Sequence, residues 1–138
     1  MTLHGTSLAS ASSPHVDPTP WLVLLQAPGV GPMTYRRILE HYGTPQTFLD
    51  CHPNEWQRCG LLPRTAVDYL RDGSRDAIET TLNWVAAQTN HHILTFADPH
   101  YPALLREIPD PPPVLFVRGE VAGLNRPQLA VVGSRNPT

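Results

Sequence analysis

The sequence predicts a multidomain α/β chain, with a small all-helical module followed by the truncated start of a parallel-sheet domain. Three observations predict it. Between residues 19 and 73 the chain is a succession of short segments that open at a proline, close at a glycine and carry apolar residues at helical spacing. After Asn90 the pattern changes to short runs rich in β-formers. The last two of these, "VLFVRG" and "LAVVG", are nearly continuous apolar runs, as strands covered on both faces of a parallel sheet are. The expected division is a disordered tail over 1–18, a helical module over 19–73 and an incomplete α/β domain over 74–138.

The elements follow in order. The opening "MTLHGTSLASASSPHVD" holds no cation and no sustained apolar core, so it fails as a signal peptide. Thr19 is expected to cap a helix whose first residue is Pro20, where a missing N–H is harmless. Trp21, Leu22, Leu24 and Leu25 give that helix a broad apolar surface, and "PGVGP" turns the chain. A second helix carries Tyr35, Ile38, Leu39 and Tyr42 on one face and ends at Gly43. Thr44 and Pro45 repeat the cap-plus-proline opening before "QTFLD". "PNEWQRCG" and "LPRTAVDYLRDG" are two further short helices. Ser74 is expected to cap a longer helix with Ile78, Leu82 and Val85 on one face. "HHILTF" reads as a strand, "DPHYPALLREI" as a turn and short helix, and "PDPPP" as a stiff extended connector.

Composition narrows the function. A net charge of −2 on 138 residues excludes the broad electrostatic footprint of a histone-like or arm-type nucleic-acid binder, while leaving room for a local basic site. All ten cations are Arg, which codon bias in a GC-rich genome explains best; the match of Arg's planar fork to phosphate gains force only at particular positions. No apolar run approaches bilayer length, so no membrane partner is expected. Two thiols, Cys51 and Cys59, and no secretory signal point to a reducing cytoplasm.

Two places offer binding chemistry. In "VVGSRNPT" an apolar strand delivers Gly133, whose backbone admits a close ligand oxygen, then the Ser134 hydroxyl and the Arg135 guanidinium. A following helix would add its free N–H groups to the same anion site. An ordinary strand-to-helix turn has the same composition. In "APGVGP", Gly29, Val30 and Gly31 fit part of a SAM-like or helix-hairpin-helix turn that presents a helix end to a DNA phosphate, with Arg36 and Arg37 one turn on. A tight turn between helices needs the same glycines. Other clusters carry less. His41, Cys51, His52 and Cys59 lack the tight pairs of a zinc site, and His91 and His92 face opposite sides of a strand. Asp98 and Asp110 are turn residues beside prolines, Glu107 is isolated, and Ser134 lacks a G-x-S-x-G surround. No catalytic residue, metal or cofactor is expected.

The blocks "YPALLREIPDPPPVLFVRGE" and "LAVVGSRNPT" resemble the DNA-processing protein DprA (Smf) family. The resemblance rests on Tyr101, Pro102, Leu105, Ile108, Asp110, Pro111, Pro112, Leu115, Gly119, Val132, Gly133, Ser134, Arg135 and Thr138, in order and spacing. The helical module with "PGVGP" also matches what the family places ahead of its Rossmann-like domain. The resemblance implies an N-terminal fragment of a non-enzymatic mediator of recombination in natural transformation. It implies single-stranded DNA as ligand, RecA as the protein it loads, and a homodimer. Gly133, Ser134 and Arg135 would form the phosphate loop, with Thr138 capping the next helix; Gly29, Gly31, Arg36 and Arg37 would be secondary contacts to DNA or a partner. The rival is a Rossmann-like nucleotide-cleaving phosphoribohydrolase, whose Pro-Gly-Gly-x-Gly-Thr loop does not occur in these residues.

Overall fold

A computed structural model describes residues 16–73 and 75–127. Among the described residues six helices lead: α1 (Thr19–Leu25), α2 (Pro32–Tyr42), α3 (Pro45–Leu49), α4 (Pro53–Arg58), α5 (Arg64–Asp72) and α6 (Asp76–Ala87). Strand β1 (His91–Thr95) follows, then a 3₁₀ turn (Leu105–Glu107), strand β2 (Val114–Arg118) and a second 3₁₀ turn (Val121–Asn125).

Local chemistry sets most helix ends. Thr44 caps α3, its hydroxyl accepting from the Thr47 N–H at 3.2 Å. His52 caps α4 through Nδ1, which accepts from the Asn54 N–H at 3.1 Å. Gly73 ends α5 in the left-handed region at φ 74°. Two expected caps differ. Thr19 is already the first residue of α1, and its N–H donates to the Asp17 carboxylate at 3.0 Å. An acceptor is needed before the first turn, and Asp17 supplies it because Pro18 has already taken helical angles. Arg75 occupies the cap position of α6, and Ser74 lies outside the described residues.

The core is built around α1. Leu22 and Leu24 are fully buried, Trp21 and Val23 nearly so, which is the all-round apolar character of a helix with neighbours on every side. It touches α3, α6 and β2. Tyr35 crosses beneath it, its hydroxyl donating to the Trp21 carbonyl at 2.8 Å with the rings stacked at 6.1 Å. Phe48 fills the centre of the helical layer, between Tyr42 (4.9 Å) and Trp56 (6.3 Å). The Trp56 indole N–H donates to the Phe48 carbonyl at 2.9 Å, so the buried polar atom is satisfied. Ile78 of α6 and Val114 of β2 belong to this same buried cluster, so one core crosses residue 74.

The sheet departs from the expected pattern. β1 and β2 pair antiparallel, from His91 opposite Arg118 to Thr95 opposite Val114. A parallel pair needs a crossover that returns the chain to the starting end. Residues 96–113 contain only a 3₁₀ turn and fold back at the same end, where the Phe96 N–H donates to the Pro113 carbonyl at 2.8 Å. Nor is β2 evenly covered: Val114 is buried, whereas Phe116, on the same face of the strand, is 52% exposed. The third expected strand, residues 129–133, lies outside the described residues. Among the described residues no helix is long and apolar enough to cross a membrane.

Burial holds the Tyr35 phenol protonated far above its ordinary range. The unfolded chain releases that proton near pH 10 (roughly the free value), so this contribution is intact below that pH and declines above it. Tyr35→Phe is expected to lower stability by about 1 kcal/mol at neutral pH. It should also flatten the fall in urea midpoint between neutral pH and pH 11, which the wild type shows in full.

Candidate functional site

Gly133, Ser134, Arg135 and Thr138 lie outside the described residues. Gly29, Gly31, Arg36 and Arg37 fall in and just after the α1–α2 hairpin. Gly29 has φ +82°, and a β-carbon there would stand 2.7 Å from Pro63 Cγ. Its second role is therefore packing, with the hairpin seated on the approach to α5. Gly31 caps α2 in extended conformation, with open space around it. Pro32 has no N–H, so the first-turn donors of α2 reduce to those of Met33 and Thr34.

The two arginines have different surroundings. Arg37 is exposed and makes no ion pair among the described residues. Arg36 is engaged. Its Nε donates to Glu40 Oε1 at 3.1 Å, and its Nη1 donates to the Pro109 carbonyl at 2.7 Å, with Asp110 Oδ1 at 3.9 Å. One side chain of α2 thus reaches a segment 73 residues later.

That segment explains itself chemically. Pro109, Asp110, Pro111, Pro112 and Pro113 contain four residues that accept hydrogen bonds through the backbone and donate none. Donors must come from elsewhere. Arg36 supplies one to Pro109, the Tyr101 hydroxyl one to Pro112 at 2.7 Å, and the Phe96 N–H one to Pro113 at 2.8 Å. Between this segment and α2 runs a groove of about 700 Å³, floored by Trp21, Tyr35 and Leu39 and walled by Phe96, Ile108 and Pro111.

Arg106 organises the far wall. Its two terminal nitrogens donate to the Phe96 carbonyl at 2.6 Å and the Asp98 carbonyl at 2.8 Å. The guanidinium lies over both the Phe96 and Tyr101 rings, at 4.6 and 4.9 Å. Burial pushes the Tyr101 phenol up, and Arg106 partly opposes that. Pattern reading missed Arg106 and the reach of Arg36, and gave Tyr101 only as a residue of the family resemblance. The available signal was the proline run, which must borrow every backbone donor it uses.

Several other polar side chains have local employment, although Thr95 Oγ1 and His91 Nε2 are buried without a hydrogen-bond partner among the described residues. The Cys51 thiol donates to the Thr47 carbonyl at 3.4 Å, and the Cys59 thiol to the Trp56 carbonyl at 3.3 Å. His52 caps α4, and His41 Nδ1 lies 2.9 Å from the Arg37 carbonyl. His91 stacks on Trp84 with centroids 4.1 Å apart, and its Nδ1–H donates to the Trp84 carbonyl at 2.7 Å, joining α6 to β1. His92 is half-buried. Among the described residues no cluster of His, Cys, Asp or Glu is arranged to hold a metal ion.

Arg106→Ala is expected to lower stability by about 2–4 kcal/mol, through two charge-assisted bonds and the ring contacts. Arg106→Lys should recover less than half, because an ammonium cannot fork to two carbonyls. Urea midpoints of the two variants check this. Gly29→Ala should cost about 1–3 kcal/mol. In a Pro63→Ala background the cost should shrink toward the backbone strain alone, about 1 kcal/mol, as a double-mutant cycle would read.

Comparison with known proteins gives two family matches in order along the chain. Residues 16–68 match the DprA-like N-terminal HHH domain, and residues 92–138 match DNA recombination-mediator protein A. The chain is 37% identical over 120 residues to Protein Smf of Escherichia coli (strain K12), covering 87% of this chain and 31% of that protein. It is 29% identical over 122 residues to Protein Smf of Synechocystis sp. (strain PCC 6803), covering 86% of this chain and 31% of that protein. It thus spans about a third of the length of these curated relatives. No solved structure matches significantly. With an HHH-like helical domain ahead of a recombination-mediator segment, the chain belongs to the DprA (Smf) family.

Proposed function

We propose that this chain serves a recombination mediator that binds single-stranded DNA and catalyses no reaction of its own. The observation that carries the reading is the match of residues 92–138 to DNA recombination-mediator protein A, because that match runs through the loop Gly133-Ser134-Arg135. In this reading residues 74–138 are part of a Rossmann-like domain, residues 19–73 the helical module ahead of it, and the tail over 1–18 carries no site. The phosphate chemistry belongs to the loop. Gly133 admits the phosphate oxygen to the backbone, Ser134 donates through its hydroxyl, Arg135 supplies the forked charge, and Thr138 caps a following helix.

The helical module contributes a weaker contact. Arg37 is an exposed cation on the hairpin with no ion pair among the described residues, while Arg36, Gly29 and Gly31 shape that hairpin. The bound strand is handed to RecA in the cytoplasm by a homodimer during natural transformation. A balanced net charge suits this division of labour, since affinity then comes from a few placed cations rather than from a basic surface.

Arg135→Ala is expected to weaken binding of a poly-thymidine oligonucleotide and to reduce its salt dependence. With one phosphate contact removed, the slope of log K against log salt should fall by about 0.7. Affinity measured across a salt series decides it, and an unchanged slope would remove Arg135 from the interface.

A further inference from the structure

We infer that the open end of the β1–β2 sheet face beside α6 is a stacking platform for single-stranded DNA, with Phe116 taking a base and Arg118 the adjoining phosphate. The inference rests on the proposed reading of the chain as a single-stranded DNA binder. It assigns that ligand a contact apart from the loop Gly133-Ser134-Arg135 and from the α1–α2 hairpin.

The strand register builds the platform. Side chains alternate, so Val114, Phe116 and Arg118 share one face of β2, opposite Thr95, Ile93 and His91 of β1. One end of this face is closed: Val114 and Thr95 are buried, and Val114 belongs to the cluster around α1. The cover stops there. Phe116, two residues on, is 52% exposed, and Arg118 is exposed beyond it. Half of a phenyl ring therefore forgoes the burial that Val114 obtains on the same face.

The ring is also held ready. Trp84 of α6 meets it at 81° with centroids 6.3 Å apart. Trp84 is itself fixed, stacked on His91 at 4.1 Å with its carbonyl accepting from His91 Nδ1–H at 2.7 Å. A platform braced in this way loses little freedom when a ligand lands on it.

The charge beside the ring selects the ligand. Arg118 follows Phe116 by about 7 Å along the strand, within the span of one nucleotide, and makes no ion pair among the described residues. None of the six strand residues on this face carries a carboxylate, nor do Ala77, Thr80 and Thr81, which share Trp84's side of α6. An open aromatic face next to an unneutralised guanidinium is what a single strand rewards, since each of its bases has a π-face and each carries a phosphate. An apolar protein surface laid on Phe116 would instead desolvate the Arg118 charge with no counter-charge.

Fluorescence anisotropy of a labelled fifteen-residue thymidine oligonucleotide, titrated with the full chain across a salt series, tests this. Phe116→Ala should weaken binding about tenfold while leaving the slope of log K against log salt unchanged, because a stacking contact releases no counterion. Phe116→Tyr should keep the wild-type affinity, and Phe116→Leu should not, since leucine restores apolar area without a π-face. Arg118→Gln should lower the slope by about 0.7. An abasic strand of equal length offers phosphates alone, and Phe116→Ala should leave its affinity unchanged. In the wild type, 5-iododeoxyuridine placed in the strand should photo-crosslink to Phe116, a readout that requires no variant to fold. Wild-type binding by both Phe116→Ala and Arg118→Gln, with Arg135→Ala still weakened, overturns the platform and leaves the parent reading standing. Full recovery in Phe116→Leu, an equal loss on the abasic strand, or a crosslink that avoids Phe116 also overturns it, the first marking a plain apolar contact such as a protein partner makes. Failure of the wild type to bind the oligonucleotide at low salt overturns both readings.

Discussion

A stretch of backbone that can accept hydrogen bonds but cannot donate them constrains this molecule more than any other feature. The prolines of residues 109–113 have surrendered their N–H groups, so the segment's carbonyls must find donors on other elements. They find a guanidinium on α2, a phenol at Tyr101 and the amide of Phe96. Those three bonds decide where the segment lies, and its lie delivers Val114 opposite Thr95. The bond from Arg36 sets the segment beside α2, with the groove between them.

A second constraint is the burial of α1. A seven-residue helix is too short to be stable on its own and holds its shape through what packs around it. Helices α3 and α6 and strand β2 all touch it, and Ile78 and Val114 share its cluster. The helical part and the sheet part therefore fold around common atoms. The aromatic residues add direction to that packing: the hydroxyl of Tyr35 and the indole N–H of Trp56 each reach a named carbonyl, which selects one arrangement among the many that would bury the same area.

The two arginine environments show how the same residue type is put to opposite uses. Arg106 has its terminal nitrogens on two carbonyls and its face on two rings, half-buried, and serves the turn after β1. Arg36 makes comparable bonds at the surface, where water and anions compete for them. Burial shields the Arg106 bonds from water, and exposure leaves those of Arg36 open to it. Arg37, next in the chain, is exposed and makes no ion pair among the described residues.

Local order was legible in the residues themselves. Proline before a helix, glycine after it, and Thr44 at a cap act within one turn, so α2 to α5 could be bounded without knowing their neighbours. Apolar spacing likewise named Tyr35, Ile38 and Ile78 as buried. Pairing direction was not legible, because an apolar run looks the same in either orientation and the connection that distinguishes them folds by contacts outside itself. The hairpin kept two readings open for a related cause. Its glycines satisfy a tight turn and a phosphate contact alike, and only the position of Pro63 against Gly29 brings out the packing role. The chain by itself determined its helices and their inward faces, since these depend on neighbours three or four residues away. Tertiary structure decided the strand register and the destinations of Arg36 and Arg106, since a guanidinium's partner is whichever oxygen the fold brings within about 3 Å.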